Sequence, residues 1–140
     1  MGYRSDRSAG HRQRCFAPDD ARSAVAHGAD GVIVSNHGGR QVDNAVPAIS
    51  ALPDIIDAVD VPVLFDSGIR RGADIVTAMA LGAEAVLVGR PYIYGLAIDG
   101  ADGVEAVCQN LLADLDLTLG LSGHASVQDL DRDSLRRANQ

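Results

Sequence analysis

Apolar and polar positions along this chain fall into blocks that alternate between two periods. Residues 18–28 carry helical spacing, with Pro18 at the start, Asp19 and Asp20 in the first turn, and Gly28 as the stop. "GVIVS", residues 31–35, is a short continuous apolar run, the pattern of a strand covered on both faces. From Pro47 to Val59, the side chains of Ala48, Leu52, Ile55, Ile56 and Val59 share one helical stripe. The two steps then recur. "VPVLFDS" (61–67) predicts a strand, "RGADIVTAMALG" (71–82) a helix closed by Gly82, and "EAVLVG" (84–89) another strand. Further on, Val104, Val107, Leu111, Leu112, Leu115 and Leu119 keep helical spacing, and residues 126–138 predict a closing helix. Residues 1–17 are polar, Arg-rich and without period, which predicts a disordered segment set apart from a domain spanning residues 18–140.

Strands and helices that alternate through short connections predict an α/β fold with a parallel sheet, either open and doubly wound or part of a (β/α)8 barrel. A complete TIM barrel takes ~250 residues. With 140 residues and three clear parallel strands, the chain fits the C-terminal half of such a barrel, followed by C-terminal helices. The composition, 46% hydrophobic and 22% charged, is that of one ordinary globular domain. A net charge of −7 excludes nucleic acid as a bulk partner, because neutralising phosphates requires a basic surface. No apolar run approaches the ~20 residues of a membrane span, and no hydrophobic signal core follows the basic N-terminus, so a cytoplasmic protein is expected. Cys15 and Cys108 show no metal-ligand spacing and are expected as reduced thiols, with no metal site.

The polar clusters all follow strand C-termini, the edge where ligands bind in parallel α/β architectures. "FDSGIRRGADI" (65–75) and "LVGRPYIYG" (87–95) suit a shared phosphate site. Gly68 permits close backbone approach, the helix after Gly72 directs its positive end there, and Arg70 and Arg90 supply cationic forks. Either loop alone also suits a glycine turn with solvated arginines. In "SNHGGRQ" (35–41), His37 is of the residue type suited to act as a base near neutral pH, and Arg40 suits bidentate pairing with a carboxylate. A base beside a carboxylate anchor fits proton abstraction from a small 2-hydroxy acid. The plainer alternative for His37 is a solvent-exposed loop histidine.

Together "GADGVIVSNHGGRQVD", "VPVLFDSGIRRGADIVTAMALGAEAVLVGRPYIYGLA" and "LLADLDLTLGLSG" resemble the C-terminal half of FMN-dependent α-hydroxy-acid dehydrogenases and oxidases, the family of glycolate oxidase, L-lactate dehydrogenase and lactate monooxygenase. The resemblance runs from about residue 18 to the end, and SNHGGRQ is its most specific part. It implies oxidation of a small L-2-hydroxy acid, of lactate or glycolate type, to the 2-oxo acid. His37 would be the catalytic base and Arg40 the binder of the substrate carboxylate. Ser35 would lie near the flavin, and Asp66, Ser67, Gly68, Ile69, Arg70, Gly89 and Arg90 would hold the FMN ribityl phosphate. Oxygen or a quinone would accept the electrons.

The resemblance also implies what is missing. The first four βα units of the family have no counterpart here, and with them go flavin-ring contacts, a substrate-binding Tyr and the Asp that orients the histidine. The family's fifth strand, with a Lys facing flavin N1, would fall on "GHRQRCF", where the Lys position is Gln13 and no apolar strand is predicted. A half-barrel of this kind is expected to self-associate or to recruit a complementing N-terminal half. Its alternative function is that of a catalytically inactive fragment that binds FMN phosphate or self-associates.

Overall fold

The computed structural model describes residues 12–13 and 17–136. Strands β1 (Arg12–Gln13), β2 (Val32–Val34), β3 (Val63–Asp66) and β4 (Ala85–Leu87) form one sheet, side by side in sequence order and all parallel. Helices α1 (Pro18–Ala26), α2 (Ala48–Ile56) and α3 (Gly72–Ala80) connect successive strands, so the sheet grows by one βα unit at a time, as in a sector of a barrel. The sheet has one strand more than the three apolar runs predict. Residues 12 and 13 join it through backbone pairing with Val32 and Ile33, a ladder that requires no apolar sequence. The remainder of residues 1–17, apart from Ala17, lies outside the described residues.

Strand alternation divides the core. Val32, Val34, Val63 and Phe65 face the helices and pack with Leu52, Ile55, Ile75 and Ala78 in one buried cluster. On the other face of the sheet, Leu64 and Leu87 are only half-buried and Ala85 is exposed. Among strands β2 to β4, only β2 meets the expectation of a strand buried throughout; β3 alternates buried and half-buried positions, and no residue of β4 is fully buried.

The last helix, α4 (Arg90–Ser122), begins earlier than the apolar spacing indicates, since Pro91 in its first turn is pre-set for helix and "GRPYIYG" is its opening. It breaks at Asp99 (φ −146°, ψ 33°) and Gly100 (φ 55°, ψ −133°), and the two halves fold against each other with Gly95 on Gly103. A side chain at either glycine would overlap the backbone of the other. Among the described residues, no helix is long and apolar enough to cross a membrane.

The expected closing helix is instead two 3₁₀ turns, Val127–Asp129 and Arg132–Ser134, with residues 137 and 138 outside the described residues. Short polar side chains win the backbone there. Asp129 accepts from the Ser126 amide at 2.9 Å, Asp131 accepts from the Ser134 amide at 3.0 Å, and Leu130 between them is extended. Arg132 then clasps the base of the domain, donating to Asp57 (2.7 and 3.1 Å) and to the Leu81 carbonyl at the end of α3 (3.3 Å). That guanidinium holds the Asp57 carboxyl below the usual carboxylate range.

Helix α3 docks on α4 through Gly72, where a Cβ would run into the backbone of Asp114 and Leu115. Gly72→Ala therefore overpacks a backbone-to-backbone contact and is expected to lower stability by about 2–3 kcal/mol. Urea unfolding reads this as a reduced midpoint at unchanged slope.

Candidate active site

The site forms where the loops after β2, β3 and β4 meet. Register places Val34 opposite Phe65 and Asp66 opposite Leu87, so the residues that follow in each strand leave the sheet at one level. After β2 the chain closes a 3₁₀ turn, His37–Gly39. His37 (φ 55°), Gly38 (φ 66°) and Gly39 (φ 72°) are all left-handed, a path that glycine takes freely and histidine tolerates better than most side chains. Gly38 has a second reason to lack a side chain, since a Cβ there would strike the Arg90 guanidinium. Asn36 caps the turn, its Oδ1 accepting from the Gly39 amide at 3.1 Å.

Arg90, at the start of α4, donates to the Gly38 carbonyl at 2.9 Å, joining the loops after β4 and β2. Arg40 donates from Nε to the His37 carbonyl at 3.2 Å. Its guanidinium is exposed at the rim of a cleft of about 450 Å³ that also takes in His37, Asp66, Gly68, Arg70, Gly89 and Arg90. Most of the residues singled out in the sequence thus share one cleft. His37 Nε2 is buried and, among the described residues, has no hydrogen-bond partner. A buried imidazole nitrogen without a partner is costly, and such atoms collect where a ligand or a further protein group completes the bonding. A second cleft of about 460 Å³ lies behind the Arg90–Gly38 contact, reaching Pro47, Ile49 and Thr77 but neither His37 nor Arg40.

The fit to a phosphate group rests on the loops after β3 and β4. Gly68 (φ 86°) and Gly89 both have open space where a side chain would stand, so their backbones are accessible from the cleft. Gly89 is the N-cap of α4 and brings no side chain to its first turn. Amides at that turn, together with Arg70 and Arg90, would make an anion cradle. One sequence expectation is corrected here. The N-terminus of α3 does not serve this cradle, because carboxylates already occupy it. Asp114 of α4 accepts from the Gly72 amide at 2.6 Å, and Asp74 accepts from the amides of Arg70 and Arg71 at 2.9 Å each. An acidic residue in the first turn, such as Asp74, is a common cap for the amides before it and was open to reading. Asp114 sits 42 residues from Gly72 and carried no such signal.

Comparison with known proteins agrees with this geometry. Residues 15–137 match the family model described as FMN-dependent dehydrogenase. The chain is 57% identical over 121 residues to the FMN-dependent alpha-hydroxy acid dehydrogenase qulF of Penicillium citrinum, covering 85% of this chain and 30% of that protein. With the L-lactate oxidase of Lysinibacillus sphaericus it shares 49% over 115 residues, 81% of this chain and 30% of the relative. A solved structure of (S)-mandelate dehydrogenase, an oxidised active mutant, superposes with a TM-score of 0.89 at 47% identity, over 91% of this chain and 36% of the other. The chain therefore spans about a third of the length of these relatives. By sequence, by fold and by the placement of its strand-end loops, this chain belongs to the FMN-dependent dehydrogenase family.

Proposed function

We propose that this chain supplies the base, the carboxylate clamp and the FMN-phosphate cradle of an enzyme that oxidises small L-2-hydroxy acids to 2-oxo acids. The observation that carries the reading is the buried, unpartnered Nε2 of His37 in the same cleft as the Arg40 guanidinium and the Gly68/Gly89 cradle. Arg40 receives the substrate carboxylate as a two-pronged donor, and Nε2 takes a proton from the bound hydroxy acid. When bound, FMN supplies the two-electron acceptor, which oxygen or a quinone then restores. In this reading Asp66, Ser67, Gly68, Ile69, Arg70, Gly89 and Arg90 would frame the phosphate and ribityl chain, with Ser35 near the flavin. The names of the relatives span L-lactate, mandelate and 2-hydroxyacid substrates, which supports the substrate class.

The rest of the site comes from further βα units, such as the relatives carry beyond the matched third. Two features call for them. Among the described residues the sheet has open edges at β1 and β4, and α4 exposes Ile98 (84%) and Leu121 (81%). These same features favour a second reading, an inactive half-barrel that binds FMN phosphate or self-associates. A cytoplasmic location remains part of the proposal; relatives include peroxisomal (S)-2-hydroxyacid oxidases of Arabidopsis thaliana and a monotopic membrane (S)-mandelate dehydrogenase.

Fluorescence titration with FMN and with riboflavin tests the cradle. Without the phosphate, riboflavin loses the charge-assisted bonds to Arg70, Arg90 and the α4 amides, so its affinity is expected to be at least ~100-fold lower. Equal affinities would contradict the assignment.

A further inference from the structure

We infer that Ser35 and Ser67 are positioning residues: with Asp66 they form a hydroxyl relay that holds the His37 turn in its left-handed path. The inference rests on the reading of His37 as the base. Ser35 is fully buried and its Oγ donates to Asp66 Oδ2 at 2.8 Å. That uses its only hydrogen, so the 3.4 Å contact between the two hydroxyls runs from the Ser67 O–H to Ser35 Oγ. Ser35 Oγ also accepts from the His37 amide at 3.2 Å. Ser67 Oγ accepts from the amides of Asn36 (3.1 Å) and Gly38 (3.2 Å). Three successive amides, 36, 37 and 38, therefore end on two hydroxyls whose direction is set by one carboxylate.

A serine hydroxyl has one hydrogen and two lone pairs, and in both serines all three are now spent. Neither hydroxyl has a bond to spare, so hydrogen bonds from Ser35 or Ser67 to a flavin would come from their backbones. This gives the two hydroxyls a role beside the flavin contacts that the sequence resemblance implies for these residues. The backbone of Ser67 points the same way. Its φ of 102° lies in a region that glycine enters without strain and serine does not. The bonds that its hydroxyl makes to the turn are what the strained conformation gains.

Amide hydrogen exchange and the NMR titration of the His37 ring, measured on the 15N-labelled full chain, test the relay without flavin. Ser67→Ala and Ser67→Gly are each expected to speed exchange at Asn36 and Gly38 by ~10-fold or more, since a lost hydrogen bond of ordinary strength is worth about that factor. Val34 and Phe65 in the sheet should keep their protection, and the His37 titration midpoint should move. Ser67→Gly, relieved of the strained φ, should withstand denaturant better than Ser67→Ala yet protect the turn no better. Unchanged exchange at Asn36 and Gly38 in Ser67→Gly would overturn the inference. So would uniform acceleration across the sheet with an unmoved His37 titration, the mark of a merely structural serine. Because no flavin is present, failure of the oxidase reading shows up elsewhere: the exchange pattern would stand while hydroxy acids left bound FMN oxidised.

Discussion

His37→Gln, in an assembly that supplies the remaining βα units, is expected to slow flavin reduction by a 2-hydroxy acid by ~10²–10⁴-fold, the range a positioned general base contributes. Glutamine keeps the approximate length and can bond within the cleft but cannot accept a proton at neutral pH. The effect should be confined to chemistry. The loops that frame the phosphate belong to β3 and β4, and no hydrogen bond from the His37 side chain supports them among the described residues. FMN affinity should therefore stay within about twofold of the parent, a factor corresponding to only ~0.4 kcal/mol. Stopped-flow reduction under anaerobic conditions measures the rate, and fluorescence titration measures the affinity. Reduction at the parental rate would remove His37 from the role of base.

Arg40→Lys is the second large effect. The side chain of Arg40 already spends Nε on the His37 carbonyl, which leaves the two terminal nitrogens to meet a carboxylate as a fork. Lysine replaces that fork by a point charge and also loses the bond back to the turn. The expected result is substrate binding weakened by ~10–100-fold, the worth of about one or two charge-assisted hydrogen bonds. Saturation kinetics of flavin reduction separates the two contributions. The apparent dissociation constant should carry most of the loss, with a smaller fall in the limiting rate from the loosened turn. An unchanged constant would mean that the carboxylate is held elsewhere.

Residue patterns gave away much of this architecture, for identifiable physical reasons. The strand and helix alternation was legible because aliphatic runs such as Val63–Phe65 and stripes such as Leu52/Ile55 bury against each other, and burial is what periodicity records. The gathering of His37, Arg40, Arg70 and Arg90 in one cleft followed from parallel topology, which sends every strand end to one edge. Two kinds of feature were not legible. One is bonding between distant segments: Asp114 on Gly72, and the two serine hydroxyls on the turn amides, depend on side-chain directions that spacing does not encode. The other is competition inside polar segments. Residues 126–136 have helix-compatible apolar positions, yet the side chains of Asp129, Asp131 and Ser134 bond the nearby backbone and break the segment into 3₁₀ turns. The strand at residues 12–13 escaped notice because its pairing is carried by the backbone.

The central claim is that this part of a barrel carries the base, the clamp and the phosphate cradle together. Its most direct measurement is the visible absorbance of FMN bound to the chain co-folded with the remaining βα units of a family member, followed anaerobically as L-lactate, glycolate or L-mandelate is added. The account predicts that FMN is retained and bleached by at least one of these acids, and that the His37→Gln assembly retains FMN without bleaching at a comparable rate. Retained FMN that no 2-hydroxy acid bleaches in the parental assembly would contradict it.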